Sequence, residues 1–234
     1  MDLPKTIDPC PIVDALLEVR FTTVIHPNAV FGLIYNELKK DYPKVENLPI
    51  LQLPDAVRAA DPNFQFKPHY KLLDKEFVIQ IGPNVVSISS YPEYLGWERF
   101  SERIFDILNR VQKVSIIEDV KRLGIRYINF FEQGIFSDID MDVTINDKPI
   151  EYRNTIVRTE IEQEGFISTL QITNNAVHQS KQGSLIDIDA FKEDGLQDFF
   201  DKKEEIIGDG HMKEKELFYS LLKEDFLKTL NPVY

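Results

Sequence analysis

Residues 122–131, Arg-Leu-Gly-Ile-Arg-Tyr-Ile-Asn-Phe-Phe, leave the chain little choice of architecture. In an extended strand, alternate positions place Leu123, Ile125, Tyr127, Asn129 and Phe131 on one side, and Gly124, Arg126, Ile128 and Phe130 on the other. Both sides are largely apolar, and each carries a polar intrusion. A strand of this kind belongs inside a sheet that is covered on both faces. An Arg or Asn there needs partners, because an unpaired buried polar group costs roughly 1–3 kcal/mol or more. Arg126 and Asn129 therefore either organise the interior or face a site.

The flanking sequence supplies the rest of such a sheet. Ala15, Leu17, Val19 and Phe21 alternate with Asp14, Glu18, Arg20 and Thr22, the pattern of a half-buried strand. A helix begins at Pro27-Asn28, with Asn28 as the expected cap and Val30, Ile34 and Leu38 as its stripe. Residues 43–63 hold four prolines and read as a connecting loop with one helical turn near Ala56–Ala60. Phe64–Leu73, Phe77–Ile81 and Val85–Ser90 are separated by turn residues and predict an antiparallel meander. A strongly amphipathic helix spans Trp97–Val114, and Trp97-Glu98 reads as the anchor of its first turn on the sheet. After 122–131, further strands are predicted over Ile139–Ile145, Asn154–Glu162, Phe166–Thr173 and Ser184–Phe191. Two helical stretches follow, separated by Gly208 and Gly210.

This order predicts an α+β protein: a large, mainly antiparallel sheet with its helices packed on one face. The alternative is a helix-grip arrangement, with the sheet wrapped around the terminal helix over an apolar cavity. No linker divides the chain, so residues 1–234 are expected to form one domain. The halves 11–114 and 115–230 are topologically similar and have the character of a pseudo-repeat.

Composition narrows the function classes. A net charge of −12, with no Lys/Arg run, argues against nucleic acid and anionic membranes as partners. Protein partners, including a second copy of the chain in a homodimer, are compatible with it. Cys10 is the single cysteine, which excludes an internal disulfide framework and a cysteine-based zinc site. Met1–Lys5 lacks the basic-then-apolar pattern of a signal peptide, and no run approaches the ~18–20 apolar residues of a membrane span. A cytoplasmic protein is the expectation.

The chemistry-bearing residues are few. Asp187 and Asp189 lie two apart on a strand, so their carboxylates share a face. A pair alone supplies too few oxygens for Mg²⁺ or Ca²⁺. Asp138, Asp140 and Asp142 alternate with Ile139, Met141 and Val143; they lack the glycine and closing Glu of an EF-hand and read as a solvated strand face. His211, Glu214 and Glu216 lack the second His of a zincin helix and read as charged decoration of a helix start. There is no glycine-rich phosphate loop and no Gly-x-Ser-x-Gly elbow. No metal or other cofactor is expected. Two arrangements are open for Arg126. In one, Arg126, Tyr127 and Asn129 converge on a ligand carboxylate or peptide backbone. In the other, Arg126 pairs with Glu18, Asp187 or Asp189 on a neighbouring strand and fixes register.

Four segments together resemble an uncharacterised, sporadically distributed family of prokaryotic proteins of about this size. They are Pro11–Phe21, Ile81–Ser87 ahead of Gly96-Trp97-Glu98, Arg122–Asn129, and Leu185–Asp189. The Arg126-Tyr127-Ile128-Asn129 core and the Asp187-x-Asp189 pair carry most of the resemblance. Phe130 stands where the family pattern often has a basic residue, and Asp14 where it usually has Glu. The resemblance implies no activity, cofactor or catalytic residue. The first expectation is a non-enzymatic protein-interaction or ligand-binding module. The alternative is an enzyme of unknown class using Asp187, Asp189 and Arg126.

Overall fold

The computed structural model describes residues 3–149 and 154–234. In chain order the elements are β1 (Ile12–Thr23), α1 (Pro27–Leu38), β2 (Lys44–Asn47), α2 (Asp55–Ala60), β3 (Tyr70–Leu73), β4 (Phe77–Ile81), β5 (Val85–Ser90) and α3 (Trp97–Lys113). Then come β6 (Ile117–Phe131), β7 (Thr144–Ile145), β8 (Lys148–Pro149), β9 (Ile156–Gln163), β10 (Phe166–His178), β11 (Lys181–Lys192), α4 (Phe199–Leu221) and α5 (Glu224–Thr229). Nine strands join in the order β2-β3-β4-β5-β1-β6-β11-β10-β9, while β7 and β8 form a separate ribbon. The sheet is antiparallel and the fold α+β, as the strand and helix pattern predicts. At its centre, the Phe130 amide donates to the Pro11 carbonyl (2.8 Å), and the Thr23 hydroxyl donates to the Ile116 carbonyl (2.7 Å). The start of β1 thus meets the end of β6, and its end meets the start of β6.

By internal packing the chain forms two compact units. One comprises Asp14–Ile125 with Phe191–Gly208; the other comprises Met1–Val13, Arg126–Ala190 and Asp209–Tyr234. The boundaries fall inside β1, β6, β11 and α4, so no linker composition marks them, and the units interleave along the sequence.

In the unit containing Asp14–Ile125, strand parity sorts the side chains. Ala15, Leu17, Val19 and Phe21 of β1 are buried, as are Ile79, Ile81, Val86 and Ile88 of β4 and β5. The helices cover this face: Phe77 of β4 stacks on Phe100 of α3 (6.4 Å), and Tyr70 of β3 stacks on Phe31 of α1 (3.8 Å). In the other unit, Phe131, Leu170, Ile172, Ile186 and Ile188 from the sheet pack with Leu217, Phe218 and Leu221 of α4. In each unit the helices lie on one face, and the opposite strand positions mix polar residues with apolar ones such as Leu16, Val78 and Phe130.

Several local expectations are corrected. The α1 cap is His26, whose Nδ1 accepts from the Asn28 amide (3.3 Å); Asn28 itself is inside the helix. The segment 43–63, expected to be a connecting loop with one helical turn near Ala56–Ala60, has that turn as α2 and also holds β2 and two 3-10 turns. Extended structure between Phe64 and His69 is replaced by a turn, with the Lys67 amide donating to the Phe64 carbonyl (3.1 Å). The strand expected over Ile139–Ile145 shrinks to Thr144–Ile145. Ile139 is almost fully buried beside Ile135 and Phe136, so the alternation there records a turn plugging the core. Gly208 and Gly210 do not break α4, which continues through both. Burial of Phe199, Ile206, Ile207, Leu217 and Phe218 outweighs a helix cost of about 1 kcal/mol per glycine.

Candidate functional site

The polar face of the unit containing Asp14–Ile125 is built by register. Ser87 of β5 lies opposite Glu18 of β1 and opposite Gln80 of β4, forming one row across three strands. Ser89 lies opposite Leu16 and Val78 in the next row. Because Leu17, Ile79 and Ile88 point to the helices, these side chains point the other way. Residues 62–68 lie across them. Gly82, just beyond β4, is the point of closest approach: a Cβ there would stand 2.5 Å from the Lys67 carbonyl oxygen and 3.1 Å from the Pro68 Cα. Between sheet and covering segment is a cavity of ≈ 430 Å³, within the range of small-molecule sites. Its floor includes Leu16, Glu18, Gln80, Ser87 and Ser89, and its roof Pro62, Phe66 and Lys67.

The charges in the cavity are partly committed. The Glu18 Oε1 accepts from Arg20 Nε (2.7 Å) and from Arg122 Nη1 (3.4 Å). Both bonds fall on one oxygen, and the Glu18 Oε2 has no hydrogen bond among the described residues. Arg20 also lies over the Phe66 ring, 5.2 Å from its centroid. Arg122 is only 8% exposed, stacks over Phe191 at 4.5 Å and approaches Glu193 at 4.0 Å. The Ser87 and Ser89 hydroxyls, the Gln80 amide and the Lys67 ammonium are different. No hydrogen bond or ion pair among the described residues engages them, although Ser87 is only 5% exposed. Ser89 and Gln80 are half-buried and Lys67 is exposed, so these polar groups face the open space of the cavity and are available to water or a ligand.

The residues singled out in the sequence lie elsewhere, in the other unit. Arg126 forms a bidentate pair with Asp187, Nε to Oδ1 at 2.7 Å and Nη2 to Oδ2 at 2.6 Å. The Arg126 side chain is nevertheless 42% exposed, and Asp187 is 14% exposed. The guanidinium is therefore held by an acid, at the surface of the sheet and not deep inside it. Asp189 shares the Asp187 face by strand parity. Tyr127 and Asn129 do not join them. Both are buried on the opposite face, where the Tyr127 hydroxyl bonds His211 Nδ1 (3.2 Å) and the Asn129 Nδ2 donates to the Ile186 carbonyl (3.3 Å). A convergent Arg126–Tyr127–Asn129 pocket is thus ruled out by the two-residue period of the strand.

His211 and Glu214 do not decorate a helix start; they sit within α4, with Glu214 5% exposed. Burial, with Lys215 nearby, pushes the His211 imidazole down to about 3, and burial raises the Glu214 carboxyl to about 8. At neutral pH both are uncharged. Glu216 instead pairs with Lys213 (3.1 Å). Among the described residues no three His, Cys, Asp or Glu side chains are placed to hold a metal ion. Asp138 lies in a turn and accepts from Gln133 Nε2 (2.7 Å).

The cavity residues carried a signal the sequence reading passed over. Ser87 and Ser89 alternate with Val86 and Ile88 in β5, and β1 sets Glu18 and Arg20 in the same phase. Polar positions in phase on two neighbouring strands mark a polar sheet face. Nothing local to 62–68 announces that this segment covers it.

The fold and site together define an α+β protein with an antiparallel sheet, helices on one face and a polar cavity on the other. No protein-family model matches the chain, and no curated protein matches it either. No helix among the described residues is long and apolar enough to cross a membrane.

Proposed function

We propose that the protein is a non-enzymatic ligand-binding module whose site is the cavity beneath residues 62–68. One observation carries this proposal: a half-open cavity on the polar sheet face gathers the buried Ser87 hydroxyl, the half-buried Ser89 and Gln80 and the exposed Lys67 ammonium at its rim, none of them engaged by another described residue. Polar groups converging on one concave space, none of them spent on the protein itself, are what a site for a polar ligand requires. Catalysis has less support. Catalytic groups tend to have displaced pKa values, and the strongly displaced Glu214 and His211 lie on α4, outside the cavity lining. The cavity lining also contains none of Arg126, Asp187 and Asp189. The resemblance to an uncharacterised prokaryotic family is compatible with a binding role and supplies no activity against it.

Thermal unfolding in the presence of amino acids, sugars, nucleotides, dicarboxylates and short peptides tests the proposal. A true ligand at a hundred times its Kd adds about 2.7 kcal/mol, or about 5–10 °C for a chain of this size. Ser89→Trp, which fills the floor, should unfold cooperatively and abolish that shift. No shift with any compound, or an equal shift in Ser89→Trp, would contradict the proposal.

A further inference from the structure

Taking the cavity as the binding site, we infer that its ligand is a free α-amino acid, with its carboxylate toward Lys67, Ser87 and Gln80 and its ammonium toward Glu18. Charge comes first. The lining sets two acids, Asp14 and Glu18, against two bases, Arg20 and Lys67, and Arg122 reaches Glu18 from beside it, so both signs are present. A lining of both signs disfavours polyanions and simple cations, and it suits a ligand that carries both signs.

The uncommitted groups then assign the ends. Arg20 is spent on Glu18 and on the Phe66 ring. Lys67 is not paired among the described residues, so its three donors are available to an anion. Ser87 is nine-tenths buried with an unpartnered hydroxyl, and Gln80 beside it adds amide donors. On the acidic side, Glu18 Oε1 holds both arginines while Oε2 remains an acceptor for a cation.

Spacing selects among zwitterions. Gln80, Ser87 and Glu18 stand in one row on adjacent strands, and neighbouring strands are about 4.8 Å apart. Donors and acceptor are therefore a short step from one another. An α-amino acid carries its ammonium and carboxylate on a single carbon and fits that step. A peptide separates its free charges by at least one further residue, about 3.5 Å of chain. Leu16, Phe66 and Pro62 provide an apolar wall for the side chain.

Calorimetric titration of the whole chain with each of the common L-amino acids is the test. The tightest binder is then compared with its carboxamide, its N-acetyl derivative and its glycine-extended dipeptide, with inorganic phosphate as the anion control. At least one amino acid should bind, and removing either charge should weaken binding about tenfold or more. Lys67→Met should weaken the amino acid to the same degree and leave the carboxamide unchanged; Ser87→Ala gives a second, milder loss. Equal binding of the derivatives, or tighter binding of the dipeptide or of phosphate, would overturn the assignment. If no amino acid binds while another compound does so and is blocked by Ser89→Trp, the ligand class is wrong and the cavity stands. If nothing binds at all, both fall.

Discussion

Arg122 and Arg126 lie four residues apart, in phase along β6, yet they do different work. Arg122 is buried, bonded to Glu18 and stacked on Phe191, so removing it deletes a shielded charge and its packing. Arg122→Ala should cost about 2–4 kcal/mol in urea unfolding. Arg126→Ala should cost only about 1 kcal/mol, because its pair with Asp187 is close to solvent. A reversed order would show that the Arg126 pair, not Arg122, anchors the sheet. Glu214 supplies a pH test. Its folded value near 8 lies above the ordinary 4.5, so its contribution is intact below pH 4.5 and is lost as pH rises toward 8. Glu214→Gln should match the parent at pH 4 and exceed it by a few kcal/mol at pH 8.5. His211 acts in the opposite sense: held near 3, it withdraws stability as pH falls from 6.5 toward 3. Unchanged relative stability across pH 4–8.5 would contradict a buried neutral Glu214.

At the scale of elements, two glycines should respond in opposite directions. Gly208 lies inside α4, and a Cβ there meets nothing within 4 Å. Gly208→Ala should therefore stabilise the protein by about 0.5–1 kcal/mol, chiefly by restricting the unfolded chain. Gly183 of β11 faces the Phe131 carbonyl oxygen, where an added methyl would overlap it, and Phe130 Cζ lies 2.8 Å away. Gly183→Ala should cost about 2 kcal/mol or more. Chemical denaturation midpoints of the two variants, moving to either side of the parent, check both claims. The glycines also show where sequence reading failed. Gly208 and Gly210 read as a break because propensity is local, whereas the apolar stripe that keeps α4 intact is satisfied only by distant strands.

Across the whole molecule, the parts of the fold governed by short periods were legible. Phe77–Ile81, Val85–Ser90 and the helix from Trp97 fall where alternation and amphipathicity put them. The strand around Arg126 was legible too, although it begins earlier, at Ile117. The site was less so. Arg126 with Asp187 is a true pair, but Tyr127 and Asn129 point away from it, a consequence of parity already present in the sequence. The cavity itself depends on a covering segment, Pro62–Pro68, that has no period. It is placed by the backbone approach at Gly82, a long-range contact that no local pattern encodes. Nuclear magnetic resonance of the isotope-labelled chain during titration with the tightest-binding amino acid tests the central claim most directly. The account predicts that the amide signals of Lys67, Gln80, Ser87 and Ser89 move together and saturate. Saturable movement confined to Arg126, Asp187 and Asp189, with those four signals still, would contradict it.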